Sequence, residues 1–335
     1  MIITVTPNAA LDITYRVPRL RPHTTHRVSE PVERPGGKGL NVARVLAALG
    51  HRTVATGFAG GSTGDVLRER LAELGAGGTA TGAGTGTRAD TRAGSVEDAL
   101  VPIAGTTRRT IGIVDDATGD TTMFNEAGPT VTAGEWAAFL TGYRKLLAGA
   151  SAVALCGSLP PGLPVGSFAE LIREARTAGV PVLLDTSGEP LRRGLAARPD
   201  LIKPNLDELT QLTGSTQPAQ AAEEARRRGA RAVAASLGPE GILAVTEDGC
   251  WQALPPARLS GNPTGAGDSA VAGLLSGLVE GLDWPGRLAR AIALSAATVL
   301  APAAGEFDRA AYEELLGQVR VTAVPRTASR PATTS

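Results

Sequence analysis

From residue 152 onward, short apolar runs alternate with amphipathic helical stretches, which limits this part of the chain to a mostly parallel sheet with helices on both faces. Strands are expected at 152–155, 180–185, 201–203 and 232–236, with helices over 168–178 and after Asn205. Gly238 then opens a hairpin through Gly241 to Val245. In such sheets ligands bind beyond the carboxyl ends of the strands, where this sequence places glycine and polar residues. The N-terminal part differs. Its opening residues Ile2-Ile3-Thr4-Val5 read as a strand, but residues 12–32 and 107–125 alternate polar and apolar side chains. That pattern predicts antiparallel strands of a small sheet outside the main one. The Gly/Thr/Ala-rich stretch 77–95 buries too little apolar surface to offset its ordering entropy and reads as a mobile insertion. A single domain over 1–320 and a disordered tail over 321–335 complete the expected organisation.

Composition excludes several classes of function. Of 335 residues, 42% are apolar, enough for a sizeable core, and 33 basic residues balance 33 acidic ones. Nucleic acid or an anionic membrane calls for a basic excess, so neither is expected as a partner. The run Arg226-Arg227-Arg228 with Arg231 sits in an Ala/Glu-rich stretch and reads as a solvated helix face. Cys156 and Cys250 are far apart and only three histidines are present, so neither a disulfide framework nor a structural zinc site is expected. The apolar segment 288–304 is broken by Arg290 and Pro302 and falls short of the ~20 residues of a spanning helix. With no leader-like segment before the first strand, a soluble, cytoplasmic protein is expected.

Three glycine- and oxygen-rich elements carry the chemistry. Gly265-Ala266-Gly267-Asp268 precedes Val271, Leu274, Leu275 and Leu278, one face of a helix starting near Ala266. A glycine turn feeding a helix presents free N–H groups and the positive end of the dipole, an anion site. Asp268 there suits a base that orients a hydroxyl for in-line attack on a γ-phosphate; the same four residues also read as a plain helix cap. Pro35-Gly36-Gly37-Lys38-Gly39-Leu40-Asn41 opens a second helix, its glycines admitting a ligand closely and Asn41 able to bond sugar hydroxyls. It lacks the spacer and the Ser/Thr of a Walker A loop. Lys203-Pro204-Asn205-Leu206-Asp207-Glu208 offers oxygens that suit Mg²⁺ or its water shell, and equally an Asn-capped helix with an acidic first turn.

Taken in order, these elements resemble the PfkB/ribokinase family of carbohydrate kinases, closest to the group containing 1-phosphofructokinase and tagatose-6-phosphate kinase. The resemblance covers about residues 2–300. It rests also on Thr4-Val5-Thr6-Pro7-Asn8-Ala9-Ala10-Leu11-Asp12, Gly157-Ser158-Leu159-Pro160-Pro161-Gly162, Asp185-Thr186-Ser187-Gly188-Glu189, Ser236-Leu237-Gly238 and Asn262-Pro263-Thr264. It implies a ribokinase-like three-layer α/β/α domain with a small β-sheet lid that often pairs with a second subunit, hence a homodimer through the lid. It implies Asp268 as base and the amides of Gly265, Ala266 and Gly267 as the anion hole. Asp12, Gly37 and Asn41 would hold the sugar hydroxyls, and Arg27, Lys38 and Arg108 the phosphate already on the substrate. ATP would meet Lys203, Ser236, Gly238, Gly265 and Gly267, and Mg²⁺ would be positioned by Asn205 and Glu208.

The activity implied is ATP-dependent phosphorylation of a phosphohexose, with fructose 1-phosphate as first choice because relatives that use fructose 6-phosphate often lack the lysine of Gly-Gly-Lys-Gly. Tagatose 6-phosphate, fructose 6-phosphate, an unphosphorylated sugar or nucleoside, and a non-catalytic sensor remain as alternatives. Three features depart from the group. Cys156-Gly157-Ser158 stands where relatives commonly carry Ser-Gly-Ser, Thr110 and Gly112 replace an Asn and a Lys of the lid strand, and 77–95 is inserted.

Overall fold

The computed structural model describes residues 1–76, 94–256, 261–301 and 303–325, which divide into two compact units. The first, residues 1–167 with 177–180, contains β1 (Ile2–Thr6), β2 (Ala10–Val17), β3 (Val32–Gly36), α1 (Lys38–Ala48), β4 (Thr53–Ala59), α2 (Gly61–Ala76), β5 (Val96–Asp98), β6 (Val101–Pro102), β7 (Arg108–Asp115), β8 (Thr121–Asn125), α3 (Ala133–Leu147) and β9 (Ala152–Cys156). Parallel strands run in the order β9-β1-β4-β5. Every residue of β1, β4 and β9 is buried, as the unbroken β-branched and apolar runs of a doubly covered parallel strand require. From β1 the strand order runs to β4 on one side, while β9, the last strand of this unit, lies on the other, so the order reverses between β1 and β9. The carboxyl ends of that pair are a topological switch point, where open α/β sheets bind ligands.

The small separate sheet has the order β3-β2-β7-β8. Two expectations about it need correction. The segment 12–32 is not strand throughout: β2 stops at Val17 and β3 starts at Val32. Pro18, Pro22 and Pro31 lie in the stretch that separates them, each removing a donor a ladder would need. Nor is the sheet all antiparallel, because β2 and β7 pair in parallel. They are joined through α1, β4, α2 and β5, the kind of long crossover that parallel neighbours require. The outer pairs, β2 with β3 and β7 with β8, are antiparallel as expected.

The second unit, residues 168–176 and 181 onward, holds most of α4 (Ser167–Thr177), then β10 (Val182–Asp185), α5 (Gly188–Ala196), β11 (Leu201–Ile202), α6 (Leu206–Thr213), α7 (Pro218–Arg227), β12 (Ala232–Ser236), β13 (Ile242–Val245), β14 (Cys250–Leu254), α8 (Ala266–Val279), α9 (Trp284–Val299), α10 (Arg309–Leu316) and β15 (Arg320–Ala323). Strands β10, β11 and β12 are parallel and β12 to β15 antiparallel. Helices α8 and α9 pack so closely that a Cβ on Gly273 would stand 2.6 Å from Ala291 Cα. The buried hydroxyls of Ser269 and Thr298 meet at 2.6 Å across the same interface. The run expected to be a solvated helix face is ion-paired along the helix: Arg226, Arg227 and Arg228 pair with Glu223 and Glu224 at 3.2, 2.8 and 2.9 Å.

The expectation of disorder from 321 does not hold for the first residues of that segment. Residues 320–323 form β15 against β14, and Val324 N donates to Cys250 O at 2.8 Å, so this segment satisfies an edge that would otherwise stand open. Residues 326–335 lie outside the described residues, as do 77–93 of the expected insertion. Its last two residues are held to the first unit, Gly94 N donating to Ala47 O and Thr53 N to Ser95 O, both at 2.9 Å.

Candidate active site

In the first unit the glycine turn before α1 is shaped by side chains of β1 and β2. A Cβ on Gly36 would fall 2.0 Å from Asp12 Oδ1, one on Gly37 2.8 Å from Thr6 Cγ2, and one on Gly39 2.3 Å from Thr6 Oγ1. All three glycines are therefore required by neighbours, and Gly37 also by its φ of 103°. Gly37 caps α1 without a side-chain hydrogen bond, and the first-turn Leu40 N–H donates to Gly37 O at 3.0 Å. Lys38 is the first residue of α1, and its Cβ lies 4.0 Å from the position a Cβ would take on Gly157. Asn41 and Arg44 are buried on the same helix.

Asp12 sits on β2 opposite Arg34 of β3 and Thr110 of β7. Burial pushes its carboxyl up to about 6, against the pull of Arg108, a hydrogen bond from Thr110 and the charge of Arg44. Arg108 donates from Nε to Asn8 O at 3.1 Å and from Nη1 to Thr110 Oγ1 at 3.4 Å and Glu126 O at 3.3 Å. Burial lowers its pKa, with Asp12 and Glu126 opposing. The structure thus brings Asp12 and Arg108 together and adds Thr110 and Arg44. Arg27 is left exposed on the 18–31 connection, outside the strands that carry Asp12 and Arg108.

In the second unit, Gly265 caps α8 in the left-handed conformation, φ 86°, again without a side-chain cap. Asp268 is buried in the first turn of α8, 7% exposed. Lys203, after β11, places Nζ 3.5 Å from Asp185 Oδ1 and 3.6 Å from where a Cβ would stand on Gly267. The buried Lys203 side chain therefore lies beside the first turn of α8, where the Ala266 N–H donates to Pro263 O at 3.1 Å. A cleft of about 660 Å³ opens beside it, lined by Asn205, Ser236, Gly238, Pro263, Ala266 and Gly267 and, from α9, by Ile292, Ser295, Ala296 and Val299. Its size suits a nucleotide. The α9 residues were missed from sequence, though the spacing of Ile292, Ala296 and Val299 on one helix face was there to be read.

Asn205 and Glu208 form a reciprocal capping box on α6: Glu208 N donates to Asn205 Oδ1 at 2.8 Å and Asn205 N to Glu208 Oε2 at 2.9 Å. Among the described residues no three His, Cys, Asp or Glu side chains converge to hold a metal. The oxygens of Asn205 and Glu208 would suit Mg²⁺ held mainly by water and nucleotide phosphates, and these are the residues that would hold its hydration shell. Among the described residues no helix is long and apolar enough to cross a membrane.

The fold and these groups define an α/β phosphotransferase acting on a sugar hydroxyl. The chain belongs to the pfkB family of carbohydrate kinases, whose model matches residues 5–76 and 80–310. It is similar to phosphofructokinase-2 from Escherichia coli, solved in complex with fructose-6-phosphate, with 30% identity and a TM-score of 0.82 over 94% of this chain and 98% of that one. A possible 1-phosphofructokinase from Thermotoga maritima is 26% identical, with a TM-score of 0.80 over 97% and 99%. Arabidopsis thaliana ribokinase, at 23% identity and a TM-score of 0.69 over 94% and 98%, shares the fold. The ribokinase-like architecture expected from sequence, a mostly parallel sheet with a small separate sheet, is what the chain adopts.

Proposed function

We propose that this sugar kinase phosphorylates a ketohexose that already carries one phosphate, fructose 1-phosphate first among them, to give fructose 1,6-bisphosphate. The observation that supports a phosphorylated acceptor is Arg108, a partly buried guanidinium fixed through Nε and Nη1 beside Asp12. A cation so held suits a dianion. In this mechanism Asp12, Gly37 and Asn41 orient the sugar. Asp268 takes the proton of the attacking hydroxyl as its oxygen bonds to the γ-phosphorus and the bond to the β–γ bridging oxygen breaks, releasing ADP. Lys203 and the α8 amides stabilise the charge that develops. When bound, Mg²⁺ would neutralise the nucleotide's phosphates. Fructose 6-phosphate is the second reading, favoured by the likeness to the E. coli enzyme.

An ADP-release assay over fructose 1-phosphate, fructose 6-phosphate, tagatose 6-phosphate and the free hexoses tests both readings. The expected result is a preference in kcat/KM of at least tenfold, about 1.4 kcal/mol, for one phosphorylated ketohexose. Arg108→Ala should raise KM for that substrate far more than KM for ATP, and equal effects on both would remove Arg108 from the phosphate site.

The pKa of Asp12 adds a pH dependence. The ionised carboxylate accepts hydrogen bonds from sugar hydroxyls, and protonation removes that capacity. With Asp12 raised to about 6, acceptor KM should fall as pH rises from 5 towards 7 and level off above it. Asp12→Asn should remove the Asp12 share of the inflection and leave only that of the acceptor's phosphate, whose second ionisation lies at about 6; a profile unchanged in that variant removes Asp12 from it.

The oligomer proposed is a dimer through the small sheet. Strand β8 is an edge with all five residues exposed, and Val32, Met123 and Phe124 are 40%, 45% and 56% exposed. An open edge with bulky apolar side chains is what a second copy would cover. Light scattering should give a dimer mass for the native chain and a monomer mass for Phe124→Asp; an unshifted mass places the interface elsewhere.

A further inference from the structure

Asn8 follows β1 and joins three segments of the first unit. Its backbone carbonyl accepts from Arg108 Nε at 3.1 Å. Its Nδ2 donates to Ala127 O, just after β8, at 3.0 Å and to Ser158 Oγ, just after β9, at 3.1 Å. The orientation of the amide is fixed by chemistry, since Ala127 O only accepts and a flipped amide would face it with oxygen. Asn8 is 7% exposed, and its Oδ1 has no hydrogen-bond partner among the described residues. That oxygen lies against Gly128, where a Cβ would come within 2.2 Å, so the glycine is shaped around the amide. A buried acceptor without a donor is a standing cost. A role confined to filling space would be met without it, by an apolar side chain of similar size.

We propose that Asn8 is a positioning residue for the phosphate of the acceptor, which deepens the phosphosugar reading above and rests on it. Its side chain fixes where its own carbonyl stands, and that carbonyl sets the Nε edge of Arg108. Nη1 is held by Thr110 and Glu126, so Nη2 is the part of the guanidinium turned to the ligand. The same amide holds the Ser158 hydroxyl in register with Arg108 and ties both to the chain returning from the small sheet. Phosphate recognition is thereby coupled to the position of that sheet.

The test is steady-state kinetics of Asn8→Ala and Ser158→Ala with the preferred phosphosugar. Each should raise acceptor KM by about tenfold, leaving kcat and KM for ATP within about twofold, and the double variant should be no worse than Asn8→Ala, since both remove one bond. Ser158 is exposed, so its variant reads the same bond from the solvent side if Asn8→Ala fails to fold. Unchanged acceptor KM in the folded variants, whatever their melting temperatures, overturns the assignment of Asn8. So does a rise of both KM values together. A wild type that turns over no phosphosugar overturns the reading beneath it, and the inference with it.

Discussion

Asp268→Ala is expected to lower kcat by roughly a hundred- to ten-thousand-fold, the range that a positioned general base contributes, while ATP still binds. The carboxyl group is 7% exposed in the first turn of α8, the position proposed above for the base that takes the proton of the attacking hydroxyl. The cleft proposed for the nucleotide is lined by other residues of that turn and by α9, which is why affinity for ATP should survive. Asp268→Asn sharpens the result, because it keeps the shape and removes the basicity, and it should be nearly as slow as alanine. Titration calorimetry with ATP and a single-turnover assay separate the two effects. Turnover within a few fold of wild type in either variant would falsify the assignment of the base.

The glycine turns were legible because glycine announces a backbone need in the sequence itself. What creates the need was not. Gly36, Gly37 and Gly39 are required by Asp12 and Thr6, which lie on strands that precede the turn, and no local pattern identifies a neighbour across that separation. Thr110 shows the same limit from the other side. Read as a departure from related sequences, it weakened the substrate assignment. In the fold it stands opposite Asp12 in register and hydrogen-bonds its carboxylate. Alternation along β2 and β7 predicted strands, but period alone carries no information on pairing direction, which the long crossover between them decides. Strand β15 was missed because its partner β14 lies far back in the chain, and a lone four-residue edge segment has little signal of its own. Arg27 was legible as a charge and not as a location. The Asn205–Glu208 pair was read both as an oxygen donor set and as a helix cap; the cap is formed, and its spare oxygens are all that a metal could use.

Lys203→Met is expected to destabilise the protein by about 3–5 kcal/mol, the cost of leaving one member of a buried ion pair without its counter-charge. The side chains of Lys203 and Asp185 are 6% and 0% exposed, and they stand 3.5 Å apart on the segments that end β11 and β10. At that distance the pair is not a short, well-aligned hydrogen bond, so its attraction does little more than offset the desolvation of two charges. A chain of this size should lose roughly 4–7 °C in Tm from the single substitution. The double variant Asp185→Leu/Lys203→Met should recover part of that loss, because it removes both charges of the pair together. Stability and function then come apart. If the ammonium beside Gly267 serves the transferring phosphoryl, the double variant regains stability and still turns over at least a hundredfold more slowly, about 2.7 kcal/mol of lost transition-state stabilisation. If activity returns with stability, the pair is scaffolding, and the charge that catalysis needs comes from the α8 amides and the metal instead.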